Sequence, residues 1–248
     1  MFRAEVNGKA LQFVTAGVRG GNSVLKDRET GTLWQQATLK AISGPLKGTQ
    51  LKRYPFLLTT WGAWRKLHPQ TLVLKPLPGY AERLAAENKI INQGIFFGGG
   101  PAPAGAFGHD NRLPPRTEIF GLEIGSEAKA YPLSALRQVH VVNDVVGGEH
   151  VLIVYQPESE TTTAFLAQYH NKALRFEAVG SQAQILTDLQ THSRWNAYGL
   201  CISGRLEGAR LKSLILEPEF WFAWSEFHPR TKLYASPAGR QQAMRIGK

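Results

Sequence analysis

The sequence carries one run of short motifs twice, in the same order. "KALQF" at 9–13 returns as "KALRF" at 172–176, an offset of 163. Asp27 and Trp34 of "DRETGTLW" return as Asp188 and Trp195 of "DLQTHSRW", an offset of 161. "AISGPLKGTQLK" at 41–52 meets "CISGRLEGARLK" at 201–212, and "WGAWRKLHPQT" at 61–71 meets "WFAWSEFHPRT" at 221–231, both at an offset of 160. A period this long excludes a solenoid, whose units are several times shorter, and predicts tandem related domains.

Each block has a local reading. The "KALQF" and "KALRF" strands follow the turn-forming pairs Asn7-Gly8 and His170-Asn171, so each closes a hairpin. Asp27 opens a polar turn that leads through Thr30, Gly31 and Thr32 to Trp34. The Ile-Ser-Gly-x-Leu-x-Gly blocks read as a strand and then a loop in which glycine relieves the backbone.

The tryptophan blocks read as short helices. Thr59 or Thr60 can cap the first, and Pro218 suits a first helical turn of the second. Trp61, Trp64 and His68 fall on one helical face, and Pro69 ends the helix because the residue before proline avoids the α region. "TLVL" and "TKLY" then resume as strands. Such short helices do not hold together alone in water. The expectation is that Trp61, Trp64, Trp221 and Trp224 are buried and pin them to a sheet. His68 and His228 fall at the helix C-termini, where an imidazole meets loose carbonyls and the negative end of the dipole.

From Pro114 the pattern turns to β. "TEIFGLEI", a Gly125-Ser126 turn and "AKAY" give two strands, Pro132 starts the helical piece "PLSALR", and "VHVVNDVVGGEHVLIVY" is a hairpin about Gly147-Gly148. Between the repeats, "GYAERLAAENKIIN" is helical in composition, and "GGGPAPAGAFG" at 98–108 reads as a linker, lacking the Gly-Lys-Ser/Thr of a phosphate loop. The expected organisation is the back half of a first copy at 1–76, a helical segment and linker at 77–113, a complete second copy at 114–236 and a basic frayed tail at 237–248. The fold class is α+β and β-rich: two tandem related domains of antiparallel or mixed sheet, with short helices packed by tryptophans.

Charge is uneven. Residues 1–75 hold 12 Lys and Arg against 3 Asp and Glu, whereas the other 173 residues are close to balanced. Such a one-sided field attracts nucleic acid, anionic lipid or an acidic partner. No apolar run is long enough for a membrane-spanning helix. Cys201 is the only cysteine, which excludes an internal disulfide or a dithiol pair and suits cytoplasm and periplasm alike. It aligns with Ala41, so a small buried inert thiol is expected. Neither a metal-ligand spacing nor a cofactor motif is present, so no metal and no cofactor are expected.

"GLEIGSEAKAYPLSAL", "VVNDVVGG", "FWFAWSEFHPRTKLY" and, in the first copy, "DRETGTLWQQ", "AISGPLKGTQL" and "TTWGAWRKLHP" resemble the uncharacterised bacterial family catalogued as domain of unknown function 3179. The resemblance covers most of the chain. It implies a β-rich fold, members that are often exported, and a Cys-Pro-x-Cys type pair after the hairpin. Here that stretch reads Tyr155-Gln156-Pro157-Glu158-Ser159, without cysteine. It also implies that the first copy starts at its back half, to be completed by residues ahead of Met1 or by another chain.

Function is read in three ways. The first is a ligand- or partner-binding scaffold, with a cleft between copies as the natural place for a small ligand and Asp27, Trp34, Asn143 and Trp195 as binding candidates. The second is an enzyme with a polar site near Asn143 and Asp144, its candidates His140, Asp144, Tyr155 and Asp188. On a strand, His140 and Asp144 would share a face, and a His-Asp couple can act as a general base. The third is nucleic-acid binding through the basic first copy, at "LKRY" and Arg65-Lys66.

Overall fold

A computed structural model describes residues 1–75, 77, 79–80, 110–180 and 183–235. Most of the helical stretch after Gly79, the Gly/Pro-rich linker and the basic tail lie outside the described residues. The chain is strand-rich, with three short helices among the described residues.

Residues 1–54 form a hairpin and a meander. Strands β1 (Glu5–Val6) and β2 (Lys9–Ala10) pair about Asn7-Gly8, both at positive φ. Then β3 (Phe13–Arg19), β4 (Asn22–Asp27), β5 (Leu33–Gln35) and β6 (Lys40–Ser43) make a four-stranded antiparallel sheet in chain order. Leu11, Trp34, Leu39, Ala41 and Leu51 are its buried core. A short helix, α1 (Trp61–Leu67), follows. Of the two candidate caps Thr59 and Thr60, it is Thr60 that serves, its hydroxyl accepting from the Ala63 N–H at 3.3 Å.

The remainder is layered. Strands β7 (Glu118–Ile124) and β8 (Glu127–Pro132) form a hairpin that leads through helix α2 (Leu133–Val139) to β9 (Val141–Val146), β10 (Glu149–Gln156) and β11 (Thr161–Leu166). The last three make an antiparallel sheet buried on both faces. One face (Val151, Ile153, Tyr155) packs on Phe120, Leu122 and Tyr131 of the β7–β8 sheet. The alternate residues, Leu152 and Val154, pack on a second meander. That alternation follows from the two-residue period of a strand.

The second meander repeats the first. After the hairpin β12 (Gln168–Tyr169) and β13 (Lys172–Ala173) come β14 (Phe176–Val179), β15 (Ile185–Asp188), β16 (Arg194–Asn196) and β17 (Cys201–Ser203), again antiparallel in chain order. Both meanders have an irregularity at the tryptophan strand, Leu33/Trp34 in one and Arg194/Trp195 in the other. Phe13 meets Trp34 edge-on at 6.0 Å and Phe176 meets Trp195 edge-on at 5.7 Å. Gly44 and Gly204, at φ of 97° and 102°, leave no room for a Cβ against the backbone of Thr32 and Ser193.

The chain then returns to the β7–β8 sheet. Strand β18 (Leu216–Phe220) pairs antiparallel with β7, helix α3 (Trp221–Phe227) crosses the sheet, and β19 (Lys232–Leu233) pairs parallel with β8. Two local expectations need correction. Pro218 lies in β18 and not in a helical turn; β18 is an edge strand, where a missing N–H costs no ladder bond. Residues 71–74 form no strand, whereas the matching "TKLY" contributes β19, because among the described residues only the second segment has a β8 beside it.

Candidate functional site

Asp27, Trp34, Asp188 and Trp195 form two equivalent internal clasps. The Trp34 Nε1–H donates to Asp27 at 2.8 Å and the Trp195 Nε1–H to Asp188 at 2.9 Å. Thr30 and Thr191 each donate both hydroxyl and backbone N–H to the same carboxylates. All four residues are buried. Burial pushes both carboxyls up, but the indole, hydroxyl and amide donors outweigh it and hold them below the ordinary range. These residues tie a turn to its following strand, and their polar atoms face one another.

The His140–Asp144 couple does not form. His140 ends α2 at φ 56°, one residue before β9 begins, so the strand periodicity that would align the pair does not reach it. The Asp144 carboxylate accepts from the Tyr131 hydroxyl at 2.9 Å and pairs with Lys129 at 2.7 Å. Asn143 donates to and accepts from the backbone of Phe176, both at 2.8 Å, sewing β9 to β14. Tyr155 is buried, with its hydroxyl accepting from Arg137 at 3.4 Å. Cys201 is buried, and that burial pushes its thiol up, as suits an unreactive position.

Sequence reasoning missed Arg53 as a structural residue. It joins the first meander to the α3 face of the β7–β8 sheet. Its guanidinium pairs with Glu217 at 2.7 Å, lies 3.9 Å from Glu123 and donates to the Ala37 carbonyl at 2.7 Å. A cavity of about 550 Å³ beside it is lined by Lys52, Arg53, Glu123 and His228, with Gln50 and Phe227. Glu217 and Glu219 point the same way from β18. Burial raises both; Arg53 pulls Glu217 back, while Glu219 is pushed up to about 7 by burial and by Glu217. Burial lowers His228. The repeat held one signal: after the shared Leu-Lys, Arg53-Tyr54 fall opposite Ser213-Leu214, so a charge stands where the other copy has none.

The two tryptophan helices share their internal geometry and differ in their surroundings. Trp64 Nε1–H donates to Thr71 and Trp224 Nε1–H to Thr231, each at 2.9 Å. His68 and His228 end the two helices, their rings against the indoles at 4.1 and 3.9 Å. In α3, Trp221 and Trp224 are buried on Ile119 and Ala130. In α1 no residue is buried, and Trp61 is 51% exposed. The burial expected of both indole pairs is therefore found in the second alone, since among the described residues no sheet lies under α1. Leu58, Leu67, Leu72, Val73 and Leu74 are exposed beside it, Leu72 to 95%.

Among the described residues, no group of three or more His, Cys, Asp or Glu could hold a metal ion, and no helix is long and apolar enough to cross a membrane. A family model described as Protein of unknown function (DUF3179) matches residues 1–231. The chain belongs to this family. The DUF3179 match runs through both sets of repeated motifs and the stretch between them. No curated protein and no solved structure matches the chain.

Proposed function

We propose that this DUF3179 chain is a partner-binding module built from two related units, and that its docking face is α1 with residues 72–74. The observation that carries the reading is the contrast between two helices of one internal design. Trp64, His68 and Thr71 repeat the arrangement of Trp224, His228 and Thr231, yet α3 is seated on a sheet and α1 presents a half-exposed indole to solvent. Exposed apolar surface gathered in one place, rather than scattered, marks an interaction site. The residues weighed for catalysis favour no reaction, because Asp144, Asp188 and Tyr155 are engaged in internal bonds.

The test is a photo-crosslinking amino acid in place of Trp61, with the same group in place of exposed Val179 on β14 as control, in cells that make the protein naturally. A discrete adduct at 61 and none at 179 is expected. Absence of an adduct at 61, or the same adducts at both positions, removes the proposal.

A further inference from the structure

Resting on that docking reading, we infer that the partner of α1 is an acidic β-hairpin of another polypeptide, with glycine in its first strand. The template lies in the same chain. Helix α3 shows what this helix design is shaped to sit on: Trp221 and Trp224 pack on Ile119 of β7 and Ala130 of β8. Gly121 lies directly under the second indole, and a Cβ there would run into the six-membered ring of Trp224. The segment after the helix joins the same hairpin, Lys232 and Leu233 pairing parallel with Lys129 and Ala130.

Helix α1 brings the same tools with no receiver among the described residues. Trp61 and Trp64 correspond to Trp221 and Trp224, and Leu72-Val73 correspond to the pairing residues of β19. A hairpin that accepted them would take Trp64 over a glycine and gain a parallel strand at 72–73, burying Trp61, Leu72 and the apolar residues beside them. Adding a strand by main-chain hydrogen bonds, with specificity from side-chain pockets, is a general mode of peptide recognition.

Charge selects the hairpin. Residues 52–75 contain five Lys and Arg and no Asp or Glu. Arg65 and Lys66 stand in the last turn of α1 where α3 has Ser225 and Glu226. The β7–β8 hairpin carries Glu118, Glu123 and Glu127 against one cation, Lys129, whose ammonium is turned to Asp144. A basic helix of this design therefore favours a hairpin at least as acidic, and complementary charge both steers association and rejects wrong partners. The chain's own hairpin is not free for the role, since α3, β18 and β19 already occupy its helix-bearing face and its edges.

Two measurements test this. In the first, a second copy of residues 110–168 is appended through a flexible linker ahead of Met1 of the full chain. Trp61 emission, obtained as the difference between this protein and its Trp61→Phe form, should shift to the blue, and its acrylamide quenching should fall to that of a buried indole. Gly121→Leu in the appended copy alone should abolish both changes. Unchanged Trp61 quenching in the fusion, or quenching indifferent to Gly121→Leu, overturns the inference. In the second, the peptide joined to position 61 in cells is sequenced. A glycine-bearing, acid-rich strand pair in another protein supports it. Attachment to a helix, to a second copy of this chain, to nucleic acid or to lipid overturns it. In those cases α1 still docks a partner; the docking reading itself is defeated by the lack of an adduct at 61 or by the same adducts at 179.

Discussion

At the scale of single residues, the chain uses buried carboxylates in two opposite ways. Asp188 is fully buried, and its carboxylate gathers the Trp195 indole N–H, the Thr191 hydroxyl and two backbone N–H groups. Removing the acceptor strands those donors inside the protein. Asp188→Ala should therefore cost about 3 kcal/mol, the scale of hydrogen bonds to a charged group, read as a lowered urea midpoint at unchanged slope. Its depressed folded value means this stabilisation is present above the unfolded carboxyl value and lost as pH falls through the folded one. Glu219 runs the other way. Its carboxyl is raised from 4.5 to about 7 by burial and by Glu217. The folded state thus keeps a proton that the unfolded chain gives up, so stability is greatest below the unfolded value and declines as pH rises through 7. Glu219→Gln should flatten that decline, which amounts to about 3 kcal/mol between the two limits. Urea unfolding at pH 4.5 and pH 8 measures it; equal pH dependence in both proteins contradicts the assignment.

At the scale of elements, equal sequence does not give equal burial. Trp224→Ala removes a ring packed on Ile119 and Ala130 and should cost about 3–5 kcal/mol. Trp61→Ala removes a half-exposed ring and should change stability by less than about 0.5 kcal/mol in the isolated chain, with chemical denaturation as the measure of both. Much at this scale was legible in the sequence. Asn7-Gly8 and Gly147-Gly148 marked their hairpins, Thr60 its helix start, and paired aspartate and tryptophan columns marked two like meanders, because each is encoded by residues close in the chain. Surroundings were not legible. Helical spacing tells which face of α1 gathers its indoles but not whether a sheet lies beneath. Pro218 read as a helix start because the alternative, a place on a sheet edge, depends on β7, a distant strand.

At the scale of the whole molecule, Arg53 is the fastening between the first meander and the β7–β8 sheet. Nothing near it in sequence announces Glu217, so this junction, and with it the cavity beside it, was hidden from any local reading. Breaking one member of a buried pair leaves the other charge uncompensated. Here both side chains keep some exposure and Glu217 can take up a proton, so the loss from Arg53→Ala should fall nearer 2 than 5 kcal/mol on the scale of such pairs, about 2–3 kcal/mol. The loss should be local as well, seen by hydrogen-exchange mass spectrometry as faster exchange in residues 1–54 than in β9–β11. The order of pairing has a consequence for biosynthesis. Strands β18 and β19 close on β7 and β8, as in Leu216 with Leu122 and Leu233 with Ala130. While the ribosome is still translating the second meander, the surface that later receives α3 stays uncovered, so the nascent chain carries an apolar sheet face and two open strand edges, an aggregation hazard, until its last strands emerge.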